Sequence, residues 1–75
     1  MAKYEPVSLP EDFKGRQDVL LDRNGEEVLV GCGGESLFVG KLRYTRAMYE
    51  KVIVSEDGNR EDLFVADITR LFVKT

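Results

Sequence analysis

The sequence predicts a small, mainly β domain: a strongly bent antiparallel barrel of five strands, preceded by one α-helix. Three observations support this prediction. Short runs rich in valine and other apolar residues recur from residue 27 to the end of the chain. Turn residues such as Asp57 and Gly58 separate these runs. Gly40 interrupts the longest run, and a glycine inside a strand usually marks a bend or a close backbone approach.

The length and composition set the class of protein. With 75 residues, the chain is expected to form a single domain over residues 8–75, after a flexible arm at residues 1–7. A domain of this size buries only about 60% of the surface of its unfolded chain, so self-association would add needed burial. No apolar run reaches the roughly 20 residues that a membrane helix needs, so no membrane partner is expected. A single cysteine allows no internal disulfide, and a cytoplasmic protein is expected.

The predicted helix spans about residues 9–23. Ser8 and Glu11 have the S-x-x-E spacing of a capping box, and Pro10 falls in the first turn, where its missing N–H costs nothing. Asn24 and Gly25 supply a stop. Asn-Gly between two apolar runs is also a hairpin signal, so a hairpin in this region is the alternative. The capping box favours the helix.

The five strands are predicted at residues 27–32, 37–45, 50–55, 62–66 and 70–74, from their apolar patterns. In the second strand, Phe38, Leu42 and Tyr44 share one face. The last strand is apolar on both faces and lies at the end of the chain, so it is predicted to be a free edge that pairs with another chain. The alternative is an edge closed within one barrel.

Aromatic and basic residues are concentrated in one loop. The net charge of −3 argues against a nucleic-acid binder that relies on overall positive charge. Single-stranded nucleic acid is bound by aromatic rings that stack on bases and by cations that follow the phosphates. The candidate residues for this role are Arg43, Tyr44, Arg46, Met48 and Tyr49. The alternative is a solvated strand face on which both tyrosines are partly buried.

Other site types are disfavoured by the residue inventory. The glycines around Cys32 lack the spacing of a phosphate-binding loop. The chain has no histidine to activate Cys32 as a nucleophile, so this cysteine is interpreted as a small apolar residue at a strand end. One cysteine and no histidine leave no zinc site, and the acidic turn at residues 56–62 lacks the calcium-loop pattern. We therefore expect no enzyme activity, no metal and no cofactor.

The helix and five strands, with a glycine bend in the long second strand, resemble the Sm-like family. Gly34, Gly40, Leu42 and Met48 stand where that family's first motif has a turn glycine, a Gly-x-Leu strand and a loop methionine. The run FVADITRLFV at residues 64–73 has the apolar spacing of the family's last two strands. The chain resembles an outlying branch, from a phage or a bacterium.

This resemblance implies an assembly and a ligand. Sm-like subunits pair the fourth strand of one copy with the fifth strand of the next, which implies a homo-oligomeric ring of about five to seven subunits. Most members bind RNA. The implied interface residues are Leu63, Phe64, Val65, Leu71, Phe72 and Val73.

The departures from the family pattern fall at ligand-binding positions. Tyr49 replaces the asparagine of the first motif, and Ala66-Asp67 occupies the place of the Arg-Gly pair in the second. The predicted function is binding of RNA or another single-stranded nucleic acid by a ring. The alternative is an adaptor module that binds protein partners through its edge strands without RNA.

Overall fold

The computed structural model describes residues 3–34 and 36–75 and confirms a mainly β, antiparallel fold with one helix. Two 3₁₀ turns, Arg46–Met48 and Val65–Asp67, interrupt the strands. No helix in the described residues is long and apolar enough to cross a membrane. In chain order, the elements are β1 (Tyr4–Val7), α1 (Phe13–Asp22), β2 (Glu27–Cys32), β3 (Ser36–Arg43), β4 (Lys51–Glu56), β5 (Asn59–Phe64) and β6 (Ile68–Lys74).

The sheet has six strands in the order β1-β6-β2-β3-β4-β5 and is open. The predicted arrangement was a five-stranded barrel. In the described residues the terminal strands β1 and β5 do not pair with each other, so the sheet is not closed. The extra strand comes from residues expected to lie in a flexible arm. Tyr4 pairs with Lys74 and Val7 with Leu71, so β1 covers the outer edge of β6.

The prediction that the last strand is a free edge is therefore wrong. β6 lies between β1 and β2 and pairs with both. Its apolar residues take part in the core of the subunit, where Ile68, Leu71 and Val73 are buried. Within residues 3–34 and 36–75, the unpaired edges of the sheet belong instead to β1 and β5.

The first segment after β1 is a helix, as predicted, and not a hairpin. It begins at Phe13 and not near residue 9, because the side chain of Asp12 caps it by accepting a hydrogen bond from the Gly15 N–H at 2.8 Å. Arg16 connects the helix to the rest of the fold. Its guanidinium donates to the carbonyl oxygens of Pro10 at 2.9 Å and Val65 at 3.1 Å.

The sheet bends at Gly40. β3 pairs with β2 from Ser36 to Lys41, but with β4 only from Lys41 to Arg43. A Cβ atom at Gly40 would lie 2.7 Å from the carbonyl carbon of Ser55, which is closer than real contacts allow. The predicted close backbone approach at this glycine is confirmed.

The tight turn between β4 and β5 explains a shifted boundary. Asp57 (φ 49°) and Gly58 (φ 85°) form a two-residue connection, with Glu56 paired to Asn59. β5 therefore begins at residue 59 and not at 62.

The inner face of the bent sheet and α1 enclose the core of Leu20, Val28, Val30, Leu42, Tyr44, Val52, Val54, Leu63, Val65, Ile68, Leu71 and Val73.

Candidate nucleic-acid interface

Tyr44 belongs to the core and not to the ligand surface. Its side chain is fully buried, so its ring cannot stack on a base, and the prediction of that role is corrected. The phenolic hydroxyl donates to the carbonyl oxygen of Tyr49 and accepts from the Gln17 amide at 3.0 Å. The Tyr44 N–H donates to the side-chain oxygen of Asn24 at 2.9 Å. These hydrogen bonds connect Tyr44 to Gln17 on α1, to Asn24 and to the backbone of Tyr49.

Tyr49 is the exposed ring of the loop, with 61% of its surface accessible. Its backbone has φ 53° and ψ −87°, a conformation that L-residues rarely adopt. Such conformations cost on the order of 1–3 kcal/mol and persist where the surroundings enforce them. The Tyr44 hydroxyl donates to the Tyr49 carbonyl, and the Tyr49 N–H donates to the Arg46 carbonyl at 3.2 Å, so both backbone groups of Tyr49 are held. The centroid of the Tyr49 ring lies 5.0 Å from that of the Phe13 ring, with 54° between the ring planes.

A second exposed ring, Phe64, lies at the end of edge strand β5 and is 44% exposed. The ammonium of Lys51, its partner residue on β4, lies 5.3 Å from the centroid of the ring. Phe64 also lines a cavity of about 300 Å³ with Phe13, Tyr49, Glu50 and Ala66. The arrangement brings aromatic faces and a cation together at one end of the sheet.

The remaining loop candidates divide between surface and interior. Arg43, at the end of β3, and Arg46, in the 3₁₀ turn, are exposed. Met48 is half-buried and packs against the core. The structure thus places Arg43, Arg46 and Tyr49 at the surface, while Tyr44 and Met48 face inward.

The predicted interface residues are mostly internal. Leu63, Val65, Leu71 and Val73 are buried within the subunit and Phe72 is half-buried, which leaves Phe64 as the exposed member. These four buried residues cannot form an interface in this conformation, because their side chains already fill the core.

The outer face of the sheet carries cations that the sequence prediction did not include among site residues. Lys41 and Arg60 are exposed on this face. Arg60 contacts Asp62 at 2.9 Å and lowers the pKa of that carboxyl through their hydrogen bond. Lys41 shares a strand face with Arg43 by simple alternation, and this signal was already visible in the sequence.

An ion pair joins β2 and β6 beside these cations. The ammonium of Lys74 lies 2.8 Å from the carboxylate of Glu27. Their hydrogen bond lowers the pKa of Glu27 and raises the pKa of Lys74. The carboxylate of Glu27 thus partly neutralises Lys74. Lys41 lies opposite Glu27 in the β2–β3 pair, and its charge also lowers the pKa of Glu27, by less than Lys74 does.

Other chemistry has little support from the geometry. Burial raises the pKa of the half-buried Cys32 thiol, which disfavours the reactive thiolate. Within residues 3–34 and 36–75, no three histidine, cysteine, aspartate or glutamate side chains are grouped so as to hold a metal ion.

The chain matches no protein-family model, and no curated protein or solved structure is significantly similar to it.

Proposed function

We propose that the protein binds single-stranded nucleic acid, such as RNA, at the surface around Tyr49. The observation that supports this proposal is that two exposed aromatic rings, Tyr49 and Phe64, line one cavity, with the Lys51 ammonium 5.3 Å from the centroid of the Phe64 ring. Arg46 is exposed in the 3₁₀ turn that precedes Tyr49. Stacking on an aromatic ring contributes about 1–3 kcal/mol per base, and cations contact the phosphates.

The experiment measures binding of short fluorescent oligo-U and oligo-A RNA by anisotropy over a series of salt concentrations. Tyr49→Ala is expected to weaken binding by about 5- to 150-fold, the equivalent of one lost stacking contact. Tyr49→Phe keeps the ring and is expected to bind like the wild type. Arg46→Ala is expected to reduce both the affinity for RNA and its dependence on salt. Lys3→Ala is the charge control, because Lys3 is an exposed lysine far from the loop in sequence. Failure of the wild type to bind either RNA at low salt would reject the proposal.

The Sm-like relationship and a ring of about five to seven subunits belong to the same proposal. The helix before strands β2 to β6, the close approach at Gly40 and the antiparallel pairing support the relationship, whereas β1 is an additional strand. A ring that pairs β5 of one copy with β6 of the next requires β1 to leave the edge of β6. The molar mass from light scattering at micromolar concentration tests assembly, and a monomer would reject it.

The second candidate function is an adaptor that binds a protein partner. The outer edge of β5 has no partner strand among the described residues, and the cavity lined by Phe64 lies at the end of this strand. Exposed edges recruit extended peptides through backbone hydrogen bonds. A defined protein partner recovered after nuclease treatment, with no RNA bound by the purified protein, would favour this function over the first.

A further inference from the structure

The outer face of β3, β4 and β5 carries a row of polar side chains at the level of Lys41. Strand register places Lys41 opposite Ser55, and Ser55 opposite Arg60. Two residues further along β3, a second row on the same face contains Arg43, Ile53 and Asp62. Because alternate residues of a strand share a face, Lys41, Arg43 and Arg60 lie on one side of the sheet.

The Lys41 row, together with Arg43 and Ile53 of the second row, lines a groove of about 490 Å³. Among the described residues, the lining includes three cationic side chains and no carboxylate, and the nearby Asp62 is paired with Arg60. The groove is lined by Asn24, Gly25, Lys41, Leu42, Arg43, Ile53, Ser55 and Arg60. A neighbouring groove of about 500 Å³ shares Lys41 and Ser55 but contains three acids, Glu27, Glu56 and Asp57. The composition makes the first groove, which we call the cationic groove, the one suited to an anion.

The groove offers hydrogen-bond donors that the fold does not use. Lys41 and Arg43 form no salt bridge to any residue in the described parts of the chain, whereas Arg60 is held by Asp62. The oxygen of Asn24 accepts from the Tyr44 N–H, which fixes the orientation of the amide. Its NH₂ group makes no hydrogen bond within residues 3–34 and 36–75. The available donors therefore match the oxygens of a phosphate group.

The outer face of β5 connects the cationic groove to the cavity lined by Tyr49 and Phe64, and Asp62, the partner of Arg60, lies between them. Phe64 lies on the same face of β5 as Asp62 and Arg60, and Lys51 faces it from β4. At about 3.3 Å per residue, the four-residue step from Arg60 to Phe64 covers about 13 Å. The outer face thus leads from a cationic groove to a pair of exposed rings over a short distance.

We propose that the cationic groove holds the phosphodiester backbone of a single strand, with Lys41 and Arg43 on its phosphates, while bases of the same strand stack on Phe64 and Tyr49. This inference rests on the proposed function and adds the path that the nucleic acid takes across strands β3, β4 and β5. Phosphate contacts give affinity without sequence preference. The groove accounts for binding by a chain whose overall charge is negative.

The test is the salt dependence of binding to oligo-U RNA, measured for Lys41→Gln and Arg43→Gln. Each lost phosphate contact lowers the slope of log K against log salt by about 0.7 for a single strand. Each variant is therefore expected to reduce the slope by about 0.7, while Lys3→Gln leaves it unchanged. Tyr49→Ala is expected to reduce affinity at an unchanged slope. Circular dichroism confirms that each variant is folded, and Lys41→Ala and Arg43→Ala replace any that is not.

An abasic oligodeoxynucleotide of the same length separates the two parts of the strand path. Its binding is expected to depend on Lys41 and Arg43 but not on Tyr49. If oligo-U binding depends on Tyr49 while both groove variants keep the wild-type slope, the groove inference is wrong and the proposed function stands. If the wild type binds no oligonucleotide, the proposed function itself fails. Equal affinity for polyglutamate would overturn the inference in favour of an acidic peptide.

Discussion

The hydroxyl of Tyr44 donates a hydrogen bond to the backbone carbonyl oxygen of Tyr49, so a fully buried residue holds the loop that carries an exposed ring. The same hydroxyl accepts from Gln17 of α1, which extends the connection to the helix. Tyr49 has a positive φ and its ring contacts Phe13, also on α1. The position of the exposed ring therefore depends on the core.

Tyr44→Phe tests this connection, because it keeps the ring and removes only the hydroxyl. The Tyr49 carbonyl and the Gln17 amide lose their partner, and we expect a loss of about 1–3 kcal/mol in the free energy of unfolding. Urea unfolding measures it. Tyr4→Phe is the matched control, because no hydrogen bond of the Tyr4 hydroxyl is seen in the described residues, and it is expected to change stability by less than about 0.5 kcal/mol. Equal stability of the two variants would contradict the prediction.

Gly40→Ala is expected to destabilise the bend in β3. The added Cβ would press on the backbone of Ser55, and overpacking of this kind costs about 1–3 kcal/mol. Gly34→Ala provides the control, since a Cβ there meets open space. The measurement is the midpoint of urea unfolding for both variants. A Gly40→Ala protein as stable as Gly34→Ala would show that the sheet accommodates the methyl group.

Arg16→Ala is expected to loosen α1 from the rest of the fold. The guanidinium donates to the backbone carbonyls of Pro10, just before the helix, and of Val65, in the second 3₁₀ turn. Hydrogen bonds to charged groups contribute about 1.5–3 kcal/mol, and the expected loss lies in this range. Lys14→Ala removes an exposed cation from the same helix and is expected to be nearly neutral. Thermal unfolding compares the two, and indistinguishable melting temperatures would count against this role for Arg16.

The ion pair of Glu27 and Lys74 predicts a pH-dependent contribution to stability. Its hydrogen bond lowers the pKa of folded Glu27, so the contribution is present above the ordinary glutamate pKa of about 4.3 and is lost as the pH falls through the lowered value. The pKa of Lys74 is raised in the folded state. The stabilising contribution is therefore fully present below the ordinary lysine pKa of about 10.4 and is lost as the pH rises through the raised pKa.

Glu27→Gln is therefore expected to be less stable than the wild type between these limits. The difference in the free energy of unfolding between the two proteins, here called the gap, is expected to narrow in acid. Urea unfolding over a pH series measures the gap. Glu11→Gln removes an exposed carboxylate for which the described residues contain no ion pair, and it serves as the control. A gap for Glu27→Gln that does not change with pH would mean that the ion pair is not its source.

Alternation in the sequence predicted much of the sheet, including the shared face of Phe38, Leu42 and Tyr44. That same alternation indicates that Tyr44 is buried along with Leu42. The exposure of Tyr49 was not available from any periodic pattern, because it depends on a rare backbone conformation and a hydrogen bond from the core. The helix start was misplaced because Ser8 and Asp12 are both competent caps, and only the second accepts the helix N–H.

The strand β1 could not be predicted, because it is short, contains Pro6 and pairs with residues at the other end of the chain. Nothing local in Tyr4–Val7 encodes a partner so far away. The predicted edge at β6 failed for the same reason. A strand can be recognised as apolar from its own residues, but whether its edge is covered depends on residues elsewhere.

In the part of the chain that the structure describes, β1 is paired on one side only, by four residue pairs to β6. Such an element opens locally at a lower free energy than global unfolding requires. Its amide hydrogens are expected to exchange with solvent faster than those of β2, which has a neighbour on each side. Each opening uncovers the edge of β6 for a short time. The free energy needed to open these four residue pairs is therefore the minimum cost of any assembly that adds a strand to the edge of β6.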